Sequence, residues 1–316
     1  MTRQIGVSDG RSVTIDCWGD PKGFPVFLLH GTPGSHSGPV PRTSVLYQLG
    51  VRLISYDRPG YGDSDRHPGR SVAAAAWDVQ DIADRLGLGP FGVVGRSGGG
   101  PHALACAAFL GGSRLRSVAV LVGLAPSDAT GLDWFGGMSD SNINEYELAS
   151  LAEDDAVVAD LTRRAEQISQ DPASLLNALE KEMVEDDKRV AFDVGIRRHL
   201  IKTYREAIKN GPYGWIDDVL AFRSPWGFEL GKITIPVRLW HGDQDVFAPV
   251  AHSRWMADQI PSARMEVEPG AAHFGAMEML PKVLAQLKAD SLTLPVVSPL
   301  ARTAAGREPA GAGAAS

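Results

Sequence analysis

Ser97 stands in Gly95-Arg96-Ser97-Gly98-Gly99, a G-x-S-x-G pattern able to turn a hydroxyl into a nucleophile. A serine hydroxyl attacks poorly near neutral pH until a base takes its proton, and that base needs a carboxylate to hold its tautomer and stabilise its charge. The pattern alone is weakly specific in a chain with 35 glycines. Its setting carries more. An apolar run, Phe91–Val94, reads as a strand just before it, and Pro101–Leu110 reads as a helix just after it. A serine on so sharp a strand-to-helix turn has a strained backbone, and Gly95, Gly98 and Gly99 leave room for the turn to close around Arg96 and Ser97. The turn would push the Ser97 hydroxyl beyond the sheet edge and set the Gly98 N–H at the positive end of the next helix, where a developing oxyanion can use it. A glycine-rich turn can also hold phosphate, but neither G-x-x-x-x-G-K nor G-x-G-x-x-G occurs here. Eight histidines and several acids leave the base and its partner open on residue type alone.

The elements that must position this serine alternate. Strands are expected at Ser12–Trp18, Val26–Leu29, Val51–Tyr56, Phe91–Val94 and Ser117–Val122, several of them continuous apolar runs of the kind buried on both faces. Val72–Leu86 has apolar residues at helical spacing, with Ser71 placed to cap it. From Pro126 to Gly231 no strand is evident, and amphipathic stretches lie near Glu145–Ser169, Pro172–Met183 and Arg189–Asn210. Alternation returns with strands Val237–Trp240 and Met265–Val267, a helix Val250–Gln259 between them and a closing helix Met277–Lys288. The expected organisation is an α/β core over 1–125 and 232–290, a helical insertion over 126–231, and a disordered tail over 291–316, where Pro, Ala, Gly and Ser dominate.

Composition narrows the classes. A net charge of -7 and the lack of Lys/Arg runs argue against a nucleic-acid partner. No run reaches the ~18 uninterrupted apolar residues of a membrane span, and the N-terminus lacks the apolar core of a signal peptide. Cys17 and Cys106 do not make a disulfide framework, so a cytoplasmic protein without membrane association is expected. No motif suggests a metal or another cofactor.

Further motifs follow the expected strands in order. They are His30-Gly31-Thr32-Pro33-Gly34, Asp57-Arg58-Pro59-Gly60-Tyr61-Gly62-Asp63-Ser64, His241-Gly242-Asp243-Gln244-Asp245 and Gly270-Ala271-Ala272-His273-Phe274. With the serine turn, they make the chain resemble the α/β-hydrolase family over roughly Val13–Leu124 and Ile233–Lys288. That resemblance implies Ser97 as nucleophile, His273 as base and Asp245 as its acid partner, with Asp243 and Asp128 as competing acids. It implies an oxyanion hole formed by the Thr32 and Gly98 N–H groups, and a helical cap over the serine formed by the insertion. His30 and His241 are expected to hold loop backbone, His102 to be a satisfied core or near-site residue, and His36, His67 and His252 to lie in loops or on the surface. Asp57–Ser64 is expected to brace the site edge without a chemical role. The acidic run Glu185-Asp186-Asp187 reads as a solvated helix face. Most cap aromatics, among them Trp134, Tyr146, Tyr204, Trp215 and Trp226, are expected to glue the cap to itself and to the core.

The leading expectation is a serine hydrolase acting on a small, largely apolar ester, thioester, lactone or amide through an acyl-enzyme. The same residues would also serve an aminopeptidase, a carbon–carbon bond hydrolase, a perhydrolase or a cyclising acyltransferase. A ligand receptor on this fold is the alternative from another class. Ser97 in place of an aspartate disfavours the epoxide-hydrolase and haloalkane-dehalogenase branches. The substrate and the oligomeric state stay open.

Overall fold

A computed structural model describes residues 2–112, 114–150 and 154–293. The segment 294–316, most of the expected tail, lies outside the described residues. An eight-stranded sheet runs in the order β1-β2-β4-β3-β5-β6-β7-β8. Its strands are β1 (Arg3–Gly6), β2 (Ser12–Gly19), β3 (Phe24–Leu29), β4 (Val51–Tyr56), β5 (Phe91–Arg96), β6 (Leu115–Leu121), β7 (Val237–Gly242) and β8 (Ala263–Glu268). β1 and β2 pair antiparallel, as do β2 and β4, and every pairing from β4 to β8 is parallel. The core helices are α1 (Thr43–Leu49), α2 (Ala75–Arg85), α3 (Gly99–Leu110), α10 (Val250–Gln259) and α11 (Ala276–Thr293).

The continuous apolar runs have a direct cause. Phe27 and Leu29 of β3 face the cluster that holds Val79 and Ile82 of α2 and Leu104 of α3. Their neighbours Val26 and Leu28 face Leu46 of α1 and Leu280, Leu284 and Leu287 of α11. Side chains alternate across a strand, so a sheet covered on both sides needs apolar residues at every position.

Between β6 and β7 the described regular elements are all helices: α4 (Asp140–Leu148), α5 (Asp154–Gln170), α6 (Ser174–Leu179), α7 (Glu185–Ala191), α8 (Val194–Ala207) and α9 (Tyr213–Arg223), with a 3₁₀ turn at Leu230–Lys232. The sequence reading placed no element at β1 or α1, and three further details differ from it. Ser71 makes no side-chain cap; a 3₁₀ turn at Val72–Ala74 opens the helix instead, with Ala74 N donating to Ser71 O at 3.1 Å. The closing helix runs on to Thr293, past the expected boundary at 290. And α9 was invisible as an amphipathic stretch because it is buried almost all round, including Trp215, Ile216, Asp217, Asp218 and Phe222.

Candidate active site

Arg96 closes β5 in register with Leu121 of β6, and α3 starts at Gly99. Ser97 lies between them with φ +53°, a left-handed conformation that a side-chain-bearing residue seldom adopts. Its N–H donates to Leu121 O at 2.8 Å, and its carbonyl accepts from Gly100 N at 2.8 Å. The flanking glycines leave no room for a side chain. A Cβ on Gly95 would lie 2.8 Å from Ala103 Cβ, one on Gly99 2.7 Å from His30 O, and one on Gly98 2.8 Å from Thr32 Cβ. The obstacles at Gly99 are the backbone of Leu29 and His30, which cannot swing away as a side chain can. Gly99→Ala is therefore expected to lower stability by about 1–3 kcal/mol in urea denaturation and to weaken any reactivity of Ser97. An unchanged midpoint would refute this account of the turn.

The loop after β3 lies against the turn. A Cβ on Gly31 would sit 3.5 Å from Ser97 Cβ, and Thr32 abuts Gly98. Among the described residues, neither the Thr32 N–H nor the Gly98 N–H has a backbone acceptor. Two unengaged donors beside a serine are what an oxyanion would need. His30 ties the loop down from below: its Nδ1 donates to Gly31 O at 2.8 Å and its Nε2 accepts from Arg58 N at 3.2 Å. Burial, reinforced by the Arg58 charge, holds the His30 pKa well below its ordinary value, consistent with this neutral tautomer.

Arg58 is buried and donates to Gly31 O and Thr32 Oγ1, each at 3.0 Å. Its counter-charge is Asp218 of α9, which also accepts from Thr32 Oγ1 at 2.7 Å, Tyr61 OH at 2.8 Å, Arg70 at 2.6 Å and His102 Nε2 at 3.2 Å. Burial alone would raise the Asp218 carboxyl, but Arg58 and Arg70 outweigh it and hold it well below the carboxylate range. The Asp57–Ser64 segment thus braces the site through Arg58 and Tyr61, and a helix of the insertion completes the brace.

Asp245 follows β7, and His273 follows β8. Asp245 Oδ2 accepts from His273 Nδ1 at 2.9 Å and His241 Nε2 at 3.1 Å, while its Oδ1 accepts from Phe247 N at 2.8 Å and Ala248 N at 2.9 Å. Burial opposes ionisation of Asp245, yet the His273 charge and the bonds from both histidines hold it below the carboxylate range. Burial would likewise lower His273, and the charge of Asp245 and its hydrogen bond raise it net. The competing acids lie elsewhere. Asp128 is exposed, and Asp243 supports the loop by accepting from Gly270 N at 2.8 Å.

Two residues of the acidic run are not a solvated face. Asp186 accepts from Ala272 N at 3.1 Å and Asp187 from Phe274 N at 2.7 Å, so α7 grips the backbone on either side of His273. Burial pushes the Asp187 carboxyl up to about 6. His36 and His252 are also interior rather than peripheral. His36 pairs with the buried Asp57 at 2.8 Å, and His252 accepts from Ala125 N at 3.1 Å and bonds Trp134 O at 2.9 Å. Surface and core histidines look alike in sequence when the neighbours that satisfy them are distant along the chain.

Ser97, Gly98, Thr32, Arg96 and His273 line one cavity of about 370 Å³. The insertion contributes Glu145, Tyr146, Ile168, Leu200, Tyr204 and Trp215 to its wall, and the core adds Phe247 and Phe274. Trp226 is absent from the wall, and Trp134 meets Phe135, Tyr146 and His252 edge to face. Among the described residues, no cluster of three or more His, Cys, Asp or Glu could hold a metal ion, and no helix is long and apolar enough to cross a membrane.

The chain is similar to known proteins along most of its length. It is 26% identical over 281 residues to a non-heme haloperoxidase of Rhodococcus erythropolis, covering 85% of this chain and 92% of that one. It is 28% identical over 266 residues to a pimeloyl-[acyl-carrier protein] methyl ester esterase of Nitrosomonas europaea, covering 83% and 92%. The solved structure of a thermophilic esterase from Thermogutta terrifontis superposes with a TM-score of 0.65 at 22% identity, covering 92% of this chain and 97% of that one. A family model described as alpha/beta hydrolase fold matches residues 25–279, and with this sheet and this turn the chain belongs to the α/β-hydrolase family.

Proposed function

We propose that the protein is a cytoplasmic serine hydrolase of small, largely apolar carbonyl substrates such as esters, thioesters, lactones or amides. The observation that carries this reading is that His273, paired with the buried Asp245, lines the same cavity as the strained Ser97. Ser97 Oγ attacks the carbonyl carbon and passes its proton to His273 Nε2, while Asp245 holds Nδ1–H and stabilises the imidazolium. The Thr32 and Gly98 N–H groups take the oxyanion. Collapse expels the alcohol, which leaves with the proton from His273. Water, deprotonated by His273, then attacks the acyl-enzyme; the acid departs and Ser97 regains its proton.

In this reading α4–α9 form a cap that roofs the acyl pocket. A relative whose name specifies a methyl ester supports an ester over an amide, and the two cysteines, both free, accord with a reducing compartment. Labelling with a fluorescent phosphonate ester tests the assignment. Labelling of wild type that vanishes in Ser97→Ala is expected; folded wild type that stays unlabelled would sink it.

The charge balance at His273 adds a pH prediction. The base must be neutral to accept a proton, so kcat/KM should rise with pH through an apparent pKa above the ordinary histidine value of 6.5. Asp245→Asn removes the charge that raises His273 and disturbs its tautomer. The acid limb should move down, and kcat should fall by about 10⁴-fold. A limb that stays in place in the variant would remove Asp245 from this role.

A further inference from the structure

Arg96 is an unusual residue to find at the mouth of a nucleophile. It is partly buried, it lines the cavity beside Ser97 and His273, and among the described residues its side chain makes no hydrogen bond and no ion pair. Apart from the exposed Lys181, the other charged groups of the wall are engaged. Glu145 accepts from Trp215 Nε1 and Arg164, each at 3.1 Å. Glu182 accepts from Ser141 N at 3.0 Å, and Arg164 also pairs with Asp160 at 2.7 Å. Arg163 pairs with the same Asp160 and is mostly exposed.

A guanidinium presents five fixed donors and stays charged at any physiological pH. A guanidinium without a counter-charge beside a largely apolar wall is unfavourable, and an anion that arrives with the ligand would supply the missing partner. Burial does depress the Arg96 pKa, with nearby Tyr204 opposing that shift. The planar fork suits a carboxylate held through two parallel hydrogen bonds.

Resting on the serine-hydrolase reading, we propose that Arg96 selects substrates bearing a carboxylate a few bonds from the carbonyl that Ser97 attacks, such as half-esters of short dicarboxylic acids. The rest of the pocket then serves the apolar part of the same molecule. Arg96 also acts on the base. Its charge disfavours protonation of His273 in the empty site, and a bound carboxylate would offset that charge just as His273 must accept the Ser97 proton.

The test compares monomethyl succinate and monomethyl adipate with methyl butyrate and methyl hexanoate, followed by pH-stat in wild type, Arg96→Met and Arg96→Lys. Wild type should favour the half-esters in kcat/KM by about 10- to 100-fold, the range of a hydrogen-bonded charge pair. In Arg96→Met the ratio of half-ester to neutral ester should collapse toward one, chiefly through KM, and Arg96→Lys should restore part of it. Succinate should also inhibit methyl butyrate hydrolysis by wild type competitively, with succinamide inert, a measurement that needs no variant to fold. A wild type that labels at Ser97 and cleaves neutral esters with no preference for half-esters and no inhibition by succinate overturns the assignment of Arg96 alone. A wild type that neither labels nor cleaves any ester removes the reading beneath it, and the assignment with it.

Discussion

Ser97→Ala is expected to lower kcat for an activated ester by about 10⁴- to 10⁶-fold while leaving the fold intact. The hydroxyl is the group that forms the acyl bond in the proposed mechanism, and nothing else in the cavity can replace it on the same trajectory. Residual turnover should remain above the uncatalysed rate, because in the proposed mechanism the Thr32 and Gly98 donors and the apolar wall would still bind the reacting carbonyl. His273→Ala should cost about as much, and the double variant little more than either single one, since the proposed mechanism makes nucleophile and base act as a unit. Steady-state rates on one ester across the three variants decide the matter. Losses that multiply in the double variant would mean that Ser97 and His273 work separately, and the mechanism would have to be abandoned.

The largest effect on stability is expected at Asp218. Its carboxylate is the shared counter-charge of Arg58 and Arg70, whose side chains are 1% and 2% exposed. Asp218→Ala leaves two guanidinium groups buried without an anion, a change expected to destabilise by about 3–5 kcal/mol. Glu229→Ala, at an exposed pair with Lys232, should stay within about 0.5 kcal/mol of wild type under the same urea titration. Thr32 Oγ1 also donates to Asp218, so the folded fraction of Asp218→Ala should lose kcat more than it loses substrate affinity. A variant as stable as wild type would show that the buried charges find water or another partner.

The core strands were legible because a sheet covered on both faces demands uninterrupted apolar runs, as in Val26–Leu29 and Val51–Tyr56. β1 was not, since only Ile5 of its four residues is buried and so short an edge segment carries no period. The turn at Ser97 was equally legible. Gly95 is required by Gly99 and Ala103 a few positions on, while Gly98 and Gly99 answer to Leu29, His30, Thr32 and Phe222; what marked the turn in the sequence was its local pattern and the order of the surrounding motifs at strand ends.

What the sequence by itself determined is the set of local requirements: the alternating α/β pattern, the strained serine with its small neighbours, and the loop segments that carry Thr32, Asp245 and His273. Tertiary structure alone decided how those segments are held and what the cavity contains. Asp218 lies 160 residues from Arg58 and Asp187 lies 87 from Phe274, and no local pattern marks either as a partner. The charge on Arg96 is visible in the sequence, but its lack of a counter-ion among the described residues is not. An ion pair depends on the distance between two groups in space, and that distance exists only once the chain has closed around them.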